Sequence, residues 1–264
     1  MQLPSDLFSG TAHYYARYRP GYPEHFFQHV ISRFRLDGTA RVLDLGCGTG
    51  QLTIPLASRV AEAVGMDPEP EMLAEAVVQA DRAGLRNIRW VQGSDCDLDR
   101  RKDDLGAFRA VTMGRSFHWM DRDATLHTLA GMIEPEGGIV VAADNERIWS
   151  VDGPWQEAVR EVILRWLGPV RRAGSGVRTE FERFEAVFAR SPFPNVEVYC
   201  QMMHRTVTTD EIVGYLYSTS FCSPAVLADT RAGFEADLRH TLHALSPTGV
   251  FHEDVALDAW LLTR

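Results

Sequence analysis

"VLDLGCGTG", Val42 to Gly50, joins an apolar run to three glycines set at every second residue. The apolar half reads as a buried strand and the glycine half as the turn that leaves it. Glycine lets the backbone turn sharply and lie directly against a ligand, and open parallel sheets bind ligands beyond the carboxyl ends of their strands. The spacing separates two ligand classes. A dinucleotide loop is G-x-G-x-x-G and places a pyrophosphate on a helix N-terminus. Here the third glycine would have to stand at position 51, which is Gln51, and the pattern is G-x-G-x-G. Asp44 stands two residues before Gly46, and a carboxylate there suits a ligand that carries a cation rather than a diphosphate. These two features argue against a nicotinamide oxidoreductase.

Outward from this stretch, strands and helices alternate. "EHFFQHVISRF" (Glu24–Phe34) has apolar residues at helical spacing, and "GQLTIPLASRV" reads as a short helix with Pro55 near its first turn. "EAVGMD" (Glu62–Asp67), "NIRWVQG", "FRAVTMG" and "IVVAAD" read as four further strands. Between them lie "EPEMLAEAVVQADRAG" and "DATLHTLAGMI", read as helices, and "EPEGG", read as a turn. After Asp144 the rhythm changes. "GPWQEAVREVILRWLG" and "TEFERFEAVFARSPF" have amphipathic helical spacing, with the glycine-rich "RRAGSG" (Arg171–Gly176) between them. "VEVYCQMMHRTVT" reads as a strand, "TDEIVGYLYSTS" and "ADTRAGFEADLRHTLHAL" as helices, and "EDVALDAWLLT" as a last strand. The alternation predicts an α/β fold, a doubly wound and mostly parallel sheet with helices on both faces.

The 264 residues, 45% of them hydrophobic, suffice for one sizeable core or for a core with an added subdomain. No repeat or linker stands out, so one domain with a helical insertion is expected. A formal net charge of −9 repels phosphate backbones and makes nucleic acid a poor partner; Arg171, Arg172 and Arg178 read as a solvated loop. Cys47, Cys96, Cys200 and Cys222 form no C-x-x-C pair and no zinc spacing, which argues against a disulfide scaffold or a metal site. No stretch approaches the ~18 apolar residues of a membrane span, and the N-terminus lacks the apolar run of a signal peptide. A soluble protein of a reducing cytoplasm is expected.

"VLDLGCGTG" resembles the first motif of the class I S-adenosylmethionine-dependent methyltransferases. The resemblance implies a Rossmann-like methyltransferase sheet with an antiparallel last strand and a helical cap. It also implies S-adenosyl-L-methionine as cofactor, S-adenosyl-L-homocysteine as product, and no metal. Asp44, Gly46, Cys47 and Gly48 would then belong to the cofactor loop. Asp67, at the end of the second strand, would accept both ribose hydroxyls, with Met66 and Pro68 flanking the adenosine and Met72 also among the cofactor-binding residues. "GSDCDL" (Gly93–Leu98) resembles the segment whose acid meets the adenine, which points to Asp95 and Cys96, although Ser94 takes the usual acid's place.

"MGRSFHWMD" (Met113–Asp121) resembles the segment facing the transferable methyl group in methyltransferases similar to the trans-aconitate group. There Arg115 would contact the cofactor, Trp119 the substrate or the adenosine, and His118 would act as a base or as a positioning residue. "FSGTAHYYARYRPGYP" (Phe8–Pro23) resembles that group's N-terminal strap. It would place Tyr15 and Arg19 at the methionine carboxylate and Tyr14 at the substrate. Tyr215, in "VGYLYSTSF", would face the substrate too. The implied layout is a single domain over 1–264: a lid at 1–23, a cofactor core at 24–145, and a cap from about 146 to 192 that returns to the sheet near 195–264. The expected reaction is methyl transfer to a small natural product or other metabolite, without nucleic acid or membrane partners. The oligomeric state, monomer or homodimer, stays open. The alternatives are a non-methylating enzyme on the same fold and a non-catalytic cofactor-binding module; the intact Asp44, Gly46, Gly48, Gly50 and Asp67 argue against a decayed site.

Overall fold

The computed structural model describes residues 8–144, 148–170, 172–173, 176–177 and 182–264. Residues 1–7 of the expected lid, Arg171 and Arg178 of the basic trio, part of the glycine-rich segment and the first residues of the helix expected from Thr179 lie outside the described residues.

Seven strands form one sheet: β1 (Arg41–Leu45), β2 (Glu62–Asp67), β3 (Ile88–Gln92), β4 (Phe108–Gly114), β5 (Ile133–Asp144), β6 (Asn195–Thr208) and β7 (Val250–Thr263). Their order is β3-β2-β1-β4-β5-β7-β6. β1 to β5 pair in parallel. β6 and β7 run antiparallel, as His204 facing Asp254 and Thr206 facing His252 show. The helices are α1 (Ala12–Tyr18), α2 (Glu24–Phe34), α3 (Thr53–Ala57), α4 (Pro70–Arg82), α5 (Leu98–Leu105), α6 (Arg122–Ala130), α7 (Pro154–Leu167), α8 (Phe184–Phe188), α9 (Thr209–Tyr217), α10 (Pro224–Leu227) and α11 (Arg231–Leu245). The strand order reverses between β1 and β4, so their carboxyl ends open the crevice where such sheets take ligands.

The chain divides into two compact units. The sheet unit comprises Pro20–Ala143, Glu180–Tyr199 and Asp258–Arg264. Its core joins Leu43, Val64, Val111 and Ile139 to Phe117, Phe188 and Leu262. Arg33 of α2 bonds Glu197 at 2.9 Å and Thr263 at 3.3 Å, tying that helix to β6 and β7. The helical unit comprises Met1–Arg19, Asp144–Thr179 and Cys200–Leu257. Its core joins Val159 and Val162 of α7 to Leu216 and Tyr217 of α9 and to Phe234 and Leu238 of α11. The indole of Trp166 donates to Asp237 at 2.8 Å and that of Trp155 to the His252 carbonyl at 3.0 Å. A capping box between Thr208 and Glu211 starts α9.

Three segments differ from the sequence expectation. "EPEGG" is not a turn before the fifth strand but a bulge within β5. Phe108 pairs with Ile133 and Ala110 with Gly138, and Glu136 takes a φ of +64° to absorb the extra residues. α5 has only Leu98 and Leu105 buried, and all six residues between them are charged, so it carries almost no apolar periodicity. Among the described residues of the helix expected over Thr179–Phe193, Phe184–Phe188 is helical, and it ends there because the chain then turns at Ser191 and runs through Pro192 and Pro194.

Candidate active site

The carboxyl ends of β1 to β4 bring four loops of the sheet unit to one edge. The β1 loop is built on Asp44, which is only 2% exposed. One carboxylate oxygen accepts from the Thr53 amide at 3.1 Å and the Thr53 hydroxyl at 2.6 Å. The other accepts from the Thr112 hydroxyl at 2.8 Å. Asp44 thereby clamps the loop between α3 and β4. Burial pushes its carboxyl up to about 6, against the lowering effect of those hydrogen bonds.

Gly46, Gly48 and Gly50 have φ values of +72°, +54° and +89°, a region that side chains other than glycine adopt at a cost. A Cβ on Gly46 would run into Ser116, whose Oγ lies 2.8 Å from that position. One on Gly50 would meet Ile54 at 2.8 Å and the Trp90 ring at 3.2 Å. Two of the three glycines thus admit neighbouring protein as well as bending the chain. Cys47 is buried in this loop, and burial with Asp67 and Asp44 nearby raises its thiol well above the ordinary range.

Asp67 ends β2 and is 8% exposed. Its Oδ2 accepts from the Gly48 amide at 2.8 Å and its Oδ1 from the Glu69 amide at 2.9 Å. Each oxygen therefore keeps an acceptor site beyond the one the backbone uses. Burial raises this carboxyl to about 6 even against the two amides. Pro68 is exposed beside it, whereas Met72 is buried on the inner face of α4. After β3, Ser94 and Asp97 form a reciprocal capping box. Asp95 Oδ2 accepts from the Asp121 amide at 3.0 Å, so Asp95 joins the β3 loop to the end of the β4 loop. Cys96 is exposed.

The β4 loop leaves the strand through Arg115, at φ +58°. Its amide donates to the Ala142 carbonyl at 2.8 Å and its Nη2 to the Pro20 carbonyl at 2.8 Å. Ser116 Oγ donates to the Leu45 carbonyl at 2.7 Å. The next turn, Phe117–Trp119, buries Phe117 and leaves His118 and Trp119 half-exposed, their rings 4.6 Å apart.

The remaining candidates lie in the helical unit. Arg19 donates to the Ser218 hydroxyl at 2.9 Å and carbonyl at 3.1 Å, and its guanidinium lies between the rings of Tyr15 (4.9 Å) and Tyr215 (5.1 Å). Tyr14 packs on Tyr217 with centroids 5.3 Å apart and accepts from Arg231 at 2.6 Å. Sequence reasoning did not single out Thr53, Thr112 or Ser116, and it gave Tyr22 no role beyond its place in the N-terminal strap. The first three are short polar residues; the partners of Thr112 and Ser116 lie 68 and 71 residues away, and that of Thr53 nine residues away across the glycine loop, so no periodic spacing exposes them. Tyr22 carried a signal, its place between Gly21 and Pro23 just before α2.

Residues 42–137 match a family model described as a methyltransferase domain. Over 224 residues the chain is 29% identical to an uncharacterized methyltransferase of Mycobacterium tuberculosis, spanning 83% of this chain and 79% of that protein. Over 146 residues it is 35% identical to the ubiquinone biosynthesis O-methyltransferase of Azorhizobium caulinodans, spanning 54% of each. Among solved structures, a methyltransferase from Geobacter sulfurreducens in complex with S-adenosyl-L-homocysteine has a TM-score of 0.55 at 18% identity, covering 100% of this chain and 99% of that one.

Proposed function

The chain belongs to the class I S-adenosylmethionine-dependent methyltransferases, and from that premise we propose that it methylates a small-molecule metabolite at the carboxyl edge of β1 and β4. The observation that carries the cofactor assignment is Asp67. Its buried carboxylate is held by the Gly48 and Glu69 amides, one on each oxygen, and the acceptor sites left over suit the two hydroxyls of a ribose. A bound S-adenosylmethionine supplies a methyl group activated by a sulfonium. The chain's own residues bind and orient it. Gly46 and Gly48 give the backbone its close approach, Asp67 takes the ribose, and Asp95, fixed through Oδ2 by the Asp121 amide, serves the adenine side. His118 stands on the loop that leaves β4. For a hydroxyl, enol or ammonium acceptor its imidazole takes the acceptor's proton; for a neutral amine it orients the acceptor.

Calorimetry with S-adenosyl-L-homocysteine tests the assignment. Asp67→Ala is expected to weaken binding by ~1.5–3 kcal/mol, the range for losing charge-assisted hydrogen bonds. Unchanged affinity would remove Asp67 from the ribose site. Once an acceptor is identified, His118→Ala separates the two roles of the imidazole: a base loses ~100-fold or more in turnover, while an orienting residue is rescued by His118→Asn.

A further inference from the structure

We propose that Tyr22 and Arg115 form a latch that fixes the loop leaving β4, so that both are positioning residues for His118. The proposal rests on the assignment of that loop to the methyl-transfer edge. Arg115 has its backbone at φ +58°, a conformation that an L side chain holds only when its surroundings over-determine it. The surroundings are visible. The guanidinium lies 4.8 Å from the centroid of the Tyr22 ring and bonds the Pro20 carbonyl at 2.8 Å. The Tyr22 ring is itself stacked on Phe26 at 5.3 Å and meets Phe27 edge-on at 6.3 Å.

The other end of the latch is the strand. Tyr22 lies so close over Gly114 that a Cβ there would run into its hydroxyl, and Leu52, at the end of the glycine loop, would lie 2.5 Å from the same Cβ. The last residue of β4 is glycine because the tyrosine and the glycine loop share its space. Within two residues of Arg115 the Ser116 hydroxyl is bound to the Leu45 carbonyl, and the Phe117–Trp119 turn begins. The direction in which that turn departs is therefore set at Arg115. On this proposal Arg115 acts through the loop rather than on the cofactor, with its side chain directed to Pro20 and Tyr22. The strap expected over Phe8–Pro23 correspondingly ends at Arg19, and Pro20–Pro23 belongs to the sheet unit.

The test compares Arg115→Gly, Tyr22→Leu, Tyr22→Phe and the Arg115→Gly/Tyr22→Leu pair in the full chain. The readouts are amide hydrogen exchange of Ser116–Met120, the melting temperature and calorimetry with S-adenosyl-L-homocysteine. Glycine suits the backbone at position 115, so Arg115→Gly removes the latch while relieving the strain. The expected result is at least tenfold faster exchange in Ser116–Met120 for Arg115→Gly and for Tyr22→Leu, with no further gain in the pair. Tyr22→Phe, which keeps the ring, should exchange like the wild type. Exchange in β1 and β2 serves as the global control. Unchanged local exchange in Arg115→Gly would overturn the latch. So would an acceleration spread evenly over the sheet, which marks general destabilisation. If Arg115→Gly weakens S-adenosyl-L-homocysteine more than tenfold while Tyr22→Leu does not, Arg115 is a cofactor ligand and the latch is wrong. Failure of the wild type to bind that compound would instead overturn the cofactor assignment, and the exchange result would stand apart from it.

Discussion

At the ends of β1 and β2, buried carboxylates are answered mainly by the backbone and by small hydroxyls. Asp67 is held by two amides, and Asp44 by one amide and two threonine hydroxyls. On α9 and α11 the charges answer one another through long side chains. Tyr217 donates to Glu235 at 2.7 Å, Arg239 bonds Glu235 at 2.8 Å and Asp210 at 2.6 Å, and Arg231 lies 4.5 Å over the Tyr217 ring. The first arrangement leaves acceptor capacity unused at a buried position, which is what a binding site needs. The second uses its side chains on one another, which is what a packed scaffold needs. A perturbed acid accordingly means different things in the two places: desolvation raises Asp67, whereas Glu235, bonded to Tyr217 and Arg239, is lowered despite burial.

Backbone-built regions should break most sharply where a side chain enters the loop. Gly46→Val adds atoms against Ser116 at a φ of +72° and is expected to cost ~3–5 kcal/mol, the range of severe core disruption. Gly84→Ala is the control: it shares a positive φ, +71°, but has open space around it. It should cost only ~1 kcal/mol, the strain of a left-handed alanine. Urea denaturation of both variants separates steric from conformational cost. Equal losses would mean that Gly46 is required by its φ alone.

The buried acids give a pH dependence of opposite sign for folding and for binding. Asp44 and Asp67 have folded values of about 6 against an ordinary 3.8. The folded state therefore holds protons that the unfolded state has already released, and stability from these groups falls as pH rises from about 4 to about 6. The shift is worth up to about 3 kcal/mol for either acid, at 1.36 kcal/mol per pH unit. Asp97, Asp123 and Glu182 are lowered by their partners and act in the opposite direction, so the measurement is the difference between wild type and Asp67→Asn across that pH range. That difference should shrink toward low pH. Affinity for S-adenosyl-L-homocysteine should instead rise through about 6, because only the ionised Asp67 accepts from two hydroxyls without donating. A wild-type-like pH profile in Asp67→Asn would show that Asp67 is not the titrating group.

The same contrast explains what could be read in the sequence. β1, β2 and β4 and helices α2 and α4 follow from runs and periods of adjacent residues. The glycine loop with its two acids is a local motif whose residues reach one edge because the strands are parallel. Tyr22 and Arg115 are 93 residues apart in number, and Arg19 and Ser218 199 apart; such pairs leave no periodic trace. The charged surface of α5 hid its helix, and the bulge in β5 looked like a turn because glycine and proline mark both.

The smallest expected effect sharpens the comparison from the side of the helical unit. Tyr14 accepts from Arg231 at 2.6 Å, while its ring contacts Tyr217 at 5.3 Å and Tyr18 at 6.4 Å. Tyr14→Phe removes the hydroxyl and keeps both ring contacts. Arg231 retains its place over Tyr217, and its half-exposed guanidinium can turn to water, so the loss should be ~0.5–1.5 kcal/mol, the net worth of one hydrogen bond. Tyr14→Leu should cost more, because it also removes aromatic contacts worth ~0.5–1.5 kcal/mol per pair. A thermodynamic cycle of Tyr14→Phe with Arg231→Met then decides how this unit is held. Coupling near the full cost of Tyr14→Phe means that the guanidinium and the hydroxyl act as one joint, as the side-chain network implies. Additive losses would mean that α1 is held on α9 by ring packing alone, and the contrast with the backbone-built site would reduce to one between a polar loop and an apolar core.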